Sequence, residues 1–368
     1  MIEKDATVPK ILYEFAEVLG TAIEGRTLTV PDTAGSGYCS GLVFNQNIRM
    51  LICNYQLNED ILIKNPDVDT FKRMLFFKFQ HIFPETKARG GKKPAAGTPS
   101  VLVATSRMTT EGMIAIHSNA STINIEVDAD YLKQQFSSLN SSPVLQGLLE
   151  NMQPLIFEQI VYPSLYKIVS ELLNECTNDT FALYFRRIKA EELICKLLIE
   201  LDKRDERRLY ILNTQDSQNL YRVKERMLSK LDEPPLIREL AIEAGMSPTK
   251  LKRLFQQVFG SSIFNYYQQF RMQEAALLLR NEKLSVSEAG YRVGFSNLSH
   301  FTRVFQEHIG MKPKEYSLDA IAQTEMLFAA AAAHDGTYDL SKRKRLGHNE
   351  KQYQQEEAIR FHNVRRLN

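Results

Sequence analysis

Apolar and polar residues follow one rhythm in the front third of this chain and another behind it. Residues 26–30, Arg-Thr-Leu-Thr-Val, alternate, and residues 47–56 nearly do, with Leu51, Cys53 and Tyr55 on one face. The runs 101–105, 112–117 and 122–127 are short, β-branched and separated by turn residues. Side chains of a strand point alternately to opposite faces, so this rhythm predicts strands. The aromatic-rich run 71–83 fits a strand or a helix. Short strands at such spacing predict a β-rich domain over residues 1–128, built as a small sandwich or barrel. Residues 88–99 have the Gly and Pro content of a loop.

From Ala129 the apolar positions recur every three to four residues, the helical period. Residues 154–174 and 181–205 read as long helices. In the second, Ile188, Leu193, Ile194, Leu197, Leu198 and Leu201 form a wide apolar stripe. That stripe packs either onto the strand domain or onto its copy in a second subunit. Residues 129–214 are thus expected to be a helical extension, a linker and a possible dimerisation element. The charge run Lys203-Arg204-Asp205-Glu206-Arg207-Arg208 reads as a solvated linker face.

Residues 215–318 carry one short pattern twice. Leu251-Lys252-Arg253-Leu254-Phe255-Gln256, closing at Gly260, recurs as Phe301-Thr302-Arg303-Val304-Phe305-Gln306, closing at Gly310. Each copy follows a turn with a small residue and a helix cap: Ala244-Gly245-Met246-Ser247 and Val293-Gly294-Phe295-Ser296. Gly245 and Gly294 suit a left-handed turn; Ser247 suits an N-cap and Pro248 the first helical position. The pattern predicts two helix-turn-helix units joined by a helix over 262–281. With Leu251, Leu254 and Phe255 inward, Thr249, Lys250, Lys252 and Arg253 point outward. In the second copy Leu298, Ser299, Thr302 and Arg303 point outward, with Asn297, His300 and Lys312 as candidate phosphate contacts. A helix presenting Thr, Lys and Arg suits a DNA major groove. Arg and Lys can bond guanine, and a Thr methyl can meet a thymine methyl.

Charge strengthens that contrast. The net charge is only +2, but residues 1–214 hold 23 Lys/Arg against 26 Asp/Glu, and residues 215–318 hold 15 against 11. A mildly acidic front and a basic rear fit a sensor joined to a nucleic-acid binder. The length of 368 residues allows two or three domains. Cys39, Cys53, Cys176 and Cys195 lie far apart without zinc-ligand spacing, and are expected as buried free thiols in a reducing compartment. His81 and His117 stand alone and read as structural. No carboxylate pair, HExxH, GxSxG or GxGxxG pattern marks a catalytic site, so no enzyme activity, cofactor or metal is expected. No apolar run reaches the roughly eighteen residues of a membrane span. Residues 1–10 carry acids and lack the apolar core of a signal peptide, which leads to the expectation of a cytoplasmic protein without a membrane partner.

The stretch 234–316 resembles the DNA-binding domain of the AraC/XylS family of bacterial transcription regulators. The resemblance rests on Leu240-Ala241, Ala244-Gly245-Met246-Ser247, Leu251-x-Arg253-x-Phe255, Gly260, Tyr266, Arg271, Ala275, Leu278-Leu279, Ala289, Val293-Gly294-Phe295, Phe301-x-Arg303-x-Phe305, Gly310 and Pro313-x-x-Tyr316. It implies seven helices and two recognition helices in successive major grooves of double-stranded DNA. It also implies base contacts near Thr249, Lys252 and Arg253 and near Leu298, Ser299, Thr302 and Arg303, with RNA polymerase as a partner in activation. Gly35-Ser36-Gly37-Tyr38 and residues 50–60 are similar to the siderophore-responsive subgroup, which points to a small-molecule or iron-linked effector. Two other readings stay open: a DNA-binding domain fused to an alkyl-transfer enzyme, and an architectural DNA-binding dimer without ligand control. Residues 319–368, with an alanine run at 329–333 and the cluster Lys342-Arg343-Lys344-Arg345, depart from the family pattern and read as a basic, flexible tail.

Overall fold

The computed structural model describes residues 5–64, 73–83, 99–105, 113–136, 142–161, 163–173, 179–204, 209–282 and 284–318. The loop expected at 88–99 and the tail at 319–368 lie outside the described residues, apart from Pro99. The chain packs as two compact units, residues 1–275 with 290–298, and residues 276–289 with 299 onward.

The first unit opens with helix α1 (Lys10–Leu19) and strands β1 (Ile23–Glu24), β2 (Thr27–Thr29), β3 (Gly35–Asn45), β4 (Ile48–Leu57) and β5 (Ile61–Lys64). There follow β6 (Met74–Gln80), β7 (Ser100–Thr105), β8 (Met113–Ile116) and β9 (Asn119–Asp128). After α2 (Ala129–Gln135) and α3 (Pro143–Glu150) comes one more strand, β10 (Ile156–Ile160), then α4 (Pro163–Leu173) and α5 (Asp179–Asp202). Eight strands form one antiparallel sheet in the order β1-β2-β3-β4-β9-β6-β7-β10, and β5 pairs with β8 separately. The β-rich front thus takes the form of a single large sheet and a small two-stranded one.

Strand β4 shows how the sheet is buried. Leu51, Cys53 and Tyr55 do share a face, and they pack with Leu12 and Phe15 of α1. The intervening Ile48, Met50 and Ile52 belong to the opposite face, in a core with Leu148, Leu165, Ile168 and Leu197 of the following helices. Alternation therefore sorts residues between two apolar layers, with little solvent face between them. Within the run 71–83, residues 74–80 form a strand: Met74, Leu75, Phe77 and Phe79 are buried in β6, between β9 and β7, and residues 71 and 72 lie outside the described residues. The stripe on α5 packs inside this chain, since Leu193, Ile194, Leu197, Leu198 and Leu201 join the sheet's core. Ile188 does not join them and stays exposed.

One helical expectation is corrected. Residues 156–160, inside the run 154–174 read as one helix, form β10 and pair antiparallel with β7, Ile156 opposite Ala104. Ile-Phe-Glu-Gln-Ile is rich in β-branched and aromatic residues, and pairing with a strand about fifty residues earlier overrides the local period. The helix proper begins at Pro163, where a missing N–H is tolerated. Upstream, Asp128 caps α2 by accepting from the Tyr131 N–H at 2.8 Å, which explains the sharp change of rhythm at 129.

The rear helices are α6 (Thr214–Ser229), α7 (Ile237–Glu243), α8 (Pro248–Phe259), α9 (Ile263–Asn281), α10 (Val286–Arg292) and α11 (Leu298–Ile309). A further helical stretch covers 313–318, so the described residues of the rear hold seven helical stretches, the number that the resemblance implies. Ile156 and Ile160 of β10 share a core with Leu220 and Val223 of α6, Leu251, Leu254 and Phe255 of α8, and Tyr266 and Tyr267 of α9. In the second unit Phe305 meets Phe301 and Tyr316, with ring centroids 5.6 and 5.7 Å apart.

Candidate nucleic-acid interface

Helix α8 is built as the sequence predicts. Gly245 turns the chain at φ +60°, Ser247 Oγ accepts from the Lys250 N–H at 3.2 Å, and Pro248 occupies the first turn. Leu251, Leu254, Phe255 and Val258 are buried along one side. Helical spacing then divides the remaining residues into two ridges. Thr249, Lys252 and Gln256, at i, i+3 and i+7, are all exposed. Gln256 belongs with the candidate contacts, and its place one turn after Lys252 is the signal that finds it.

Lys250, Arg253 and Gln257 form the second ridge, and it faces residues 210–216 of the same unit. Lys250 Nζ pairs with Asp216 Oδ1 at 2.9 Å. The Arg253 guanidinium carbon stands 3.8 Å from the centroid of the Tyr210 ring. The Gln257 side chain is buried; it accepts from the Tyr210 N–H and donates to the Tyr210 carbonyl, both at 2.8 Å. Arg253 remains exposed and Lys250 half-exposed.

Arg204 corrects the reading of 203–208 as a solvated face. Its side chain is buried, at 8% exposure. It donates to the carbonyls of Gln257 and Val258, at 3.1 and 3.3 Å, at the end of α8. It also donates to the Glu158 carbonyl and Gln159 Oε1 of β10, at 2.8 and 3.1 Å, and lies over the Phe157 ring. Helix-terminal carbonyls lack intrahelical partners, and a cation there satisfies them. Residues 205–208 of the run lie outside the described residues.

Beside Arg204, Glu158 is buried and bound by Lys224 Nζ at 3.0 Å, with the Tyr266 hydroxyl at 3.4 Å. Burial first, and the Glu158 charge second, push the phenol pKa values of Tyr221 and Tyr266 well above the usual value. His81 is exposed at the surface, and partial desolvation by its neighbours, reinforced by Lys224, lowers its pKa. His117 is exposed beside Asp60, at 3.4 Å.

The second turn uses Gly294 at φ +82°, where a Cβ would collide with the Leu231 carbonyl. Arg271 of α9, buried between the rings of Phe295 and Tyr267, donates to the Val293 carbonyl of that turn at 2.6 Å. Ser285 and Glu288 form a reciprocal cap at the start of α10: Glu288 Oε2 accepts from the Ser285 N–H at 2.9 Å, and Ser285 Oγ from the Glu288 N–H at 3.3 Å. On α11, Phe301, Val304 and Phe305 are buried, Ser299, His300 and Arg303 exposed, and Leu298 and Thr302 half-exposed. Asn297 and Lys312 are exposed on either side of that helix in sequence.

Two other groupings lie in the sheet region. Cys39 and Cys53, far apart in sequence, sit opposite each other on β3 and β4, with buried thiols 3.0 Å apart. The contact with Cys53 and burial push the Cys39 thiol pKa up. Cys195 is exposed, unlike the buried thiol expected there. A cleft of about 420 Å³ opens beside α1 and the β3–β4 turn, lined by Asp5, Lys10, Tyr13, Asn45, Arg49 and Met74 among others. Among the described residues, no helix is long and apolar enough to cross a membrane, and no three His, Cys, Asp or Glu side chains cluster as metal ligands.

Residues 240–318 match the family model of a helix-turn-helix domain. The chain is 33% identical over 89 residues to the HTH-type transcriptional regulator GbdR of Pseudomonas aeruginosa, covering 24% of each. It is 36% identical over 75 residues to the Regulatory protein PchR of Pseudomonas aeruginosa, covering 20% of this chain and 25% of that one. The match thus spans about a quarter of the length of each of these two relatives. Among solved structures, the DNA-binding domain of AdpA, in complex with a target DNA, aligns with 28% identity, 28% of this chain, 95% of that chain and a TM-score of 0.27.

Proposed function

We propose that this chain is a sequence-specific DNA-binding transcription regulator of the AraC/XylS type. The observation that carries the reading is the doubled motif in its folded form. Two helices, each behind a glycine turn, bury the same apolar side and expose Thr, Lys and Arg or Ser, His and Arg, inside a stretch that matches a helix-turn-helix domain. In this reading α8 and α11 enter successive major grooves. Thr249, Lys252, Gln256 and Arg253 meet base edges, and so do Leu298, Ser299, Thr302 and Arg303. Lys250, Asn297, His300 and Lys312 meet phosphates, which position the protein without reading sequence.

The sheet domain is the sensor in this reading, for a small-molecule or iron-linked effector, and the cleft beside α1 is its candidate site. The iron-linked option rests on residues 35–38 and 50–60. Activation through RNA polymerase follows from the family resemblance, as does a cytoplasmic location. A homodimer contact falls on the outer face of α5, where Phe181, Tyr184, Ile188 and Ile199 are exposed at near-heptad spacing.

Selection of bound sequences from random DNA tests the core of the proposal. An asymmetric site with two short blocks about one helical turn apart is expected. A full-length protein that enriches no motif refutes it.

A further inference from the structure

The ring of Tyr210 occupies a place that the function proposed above does not require of a linker. Its backbone is pinned from both directions by Gln257, one turn beyond Arg253 on the same ridge of α8. The ring therefore stands where the Arg253 side chain must pass. A guanidinium carbon 3.8 Å from a ring centroid is in face contact with the ring. Guanidinium is planar and carries its N–H donors in that plane. Stacking on an aromatic face thus leaves the donor edges open, and Arg253 is exposed. One ridge residue earlier, Lys250 pairs with Asp216 at 2.9 Å.

From this geometry we infer that Tyr210 is a specificity-determining positioning residue. Its ring is the platform that presents the Arg253 fork to the O6 and N7 acceptors of a guanine in the major groove. The inference rests on the DNA-reading proposal and deepens it: a residue outside the motif, in the segment between α5 and α6, sets base choice. A free arginine explores many rotamers, and most of them reach phosphate as easily as guanine. A stacked arginine has a fixed plane, and bidentate recognition depends on that plane. Gln257 grips the Tyr210 backbone, so those two bonds survive a change of side chain, while the ring's packing against the core beneath α8 does not.

The test uses the full-length protein, selection from random DNA, and titration of the selected site and a scrambled duplex at several salt concentrations. The parent should select a guanine that disappears with Arg253→Ala. Tyr210→Ala should lower preference for that guanine about tenfold, in the range of a lost stacking contact and a loosened bidentate pair, with scrambled-duplex affinity within about twofold. Tyr210→Phe should retain the preference, because the ring face acts and the hydroxyl does not. Tyr210→Leu, which fills similar space without an aromatic face, should lose it as alanine does, and thermal melts of all variants report folding. In an Arg253→Ala background, Tyr210→Ala should change nothing further at that base. Full preference in Tyr210→Leu would reduce the ring to filler and overturn the inference. Tighter specific binding by Tyr210→Ala would also overturn it, by showing that the ring holds Arg253 off the DNA. So would equal losses on selected and scrambled DNA. These failures leave the DNA-reading proposal standing, whereas a parent that selects no motif removes both.

Discussion

The two helix-turn-helix units repeat one motif at an offset of fifty residues, yet they are embedded differently. On α8 the ridge Lys250, Arg253 and Gln257 is occupied by Asp216 and Tyr210, and Arg204 satisfies the helix end while reaching into β10. On α11 the corresponding residues, His300, Arg303 and Glu307, are all exposed. The first reading helix is part of the sheet's own compact unit; most of the second belongs to another unit. A repeated motif therefore secures the shape of a reading helix, while the surroundings decide how rigidly its side chains are offered. The first unit should contribute more of the base choice for that reason.

That contrast can be broken at its joint. Lys224→Met leaves Glu158 buried without its cation and should cost about 3–5 kcal/mol, a large effect that urea denaturation of the full chain would show. An unchanged midpoint would mean that the first helix-turn-helix is not wired to the sheet through this pair. The turn glycines should differ as well. Gly294→Ala combines a positive φ with a collision against the Leu231 carbonyl, and should cost about 3 kcal/mol or more. Gly245→Ala meets nothing within 4 Å and should cost only about 1 kcal/mol from the backbone conformation. Equal losses in the two variants would show that neighbours do not matter at these turns.

On DNA, Arg253→Ala should weaken specific binding by about 1–3 kcal/mol and Arg303→Ala by less, measured on the selected site. The reverse order would move the burden of specificity to the second unit. The smallest effect concerns pH. Tyr221 and Tyr266 hold their protons more tightly when folded than when unfolded, because of burial and then Glu158. Their contribution to stability is present in full below about pH 10, the unfolded value, and is lost as pH rises above it. Tyr266→Phe should flatten that alkaline loss.

The rear of the chain was legible because its signals are local. Glycine turns, a Ser-Pro cap and a helical apolar period lie within a few residues of each other at 244–260, and the structure follows them residue by residue. The strands at 27–29 and 48–57 were legible for the same reason, through alternation, and those at 100–105 and 119–128 through β-branched runs bounded by turn residues. What the sequence could not display depends on distant partners. β10 is a strand because β7 offers it an edge, and Arg204 is buried because a helix end and a strand carbonyl meet there. Cys39 and Cys53 are neighbours only through the register of β3 and β4. The stacking of Arg253 on Tyr210 joins residues 43 positions apart. Each looks bland in its own window, a charge run, a tyrosine or a lone cysteine, and only the tertiary fold gives it a partner.

An antiparallel sheet has two outer strands, and each is a template on which a stray strand can add. Here both are blunted. At one side β1 is only two residues long. At the other, β10 packs against the helices of the first reading unit, and Arg204 takes up the Glu158 carbonyl. The same contacts that brace the reading helix thereby guard the sheet against edge-to-edge aggregation. A variant that frees the helices from β10 would expose that edge as well, and should be recognised first by its poor solubility.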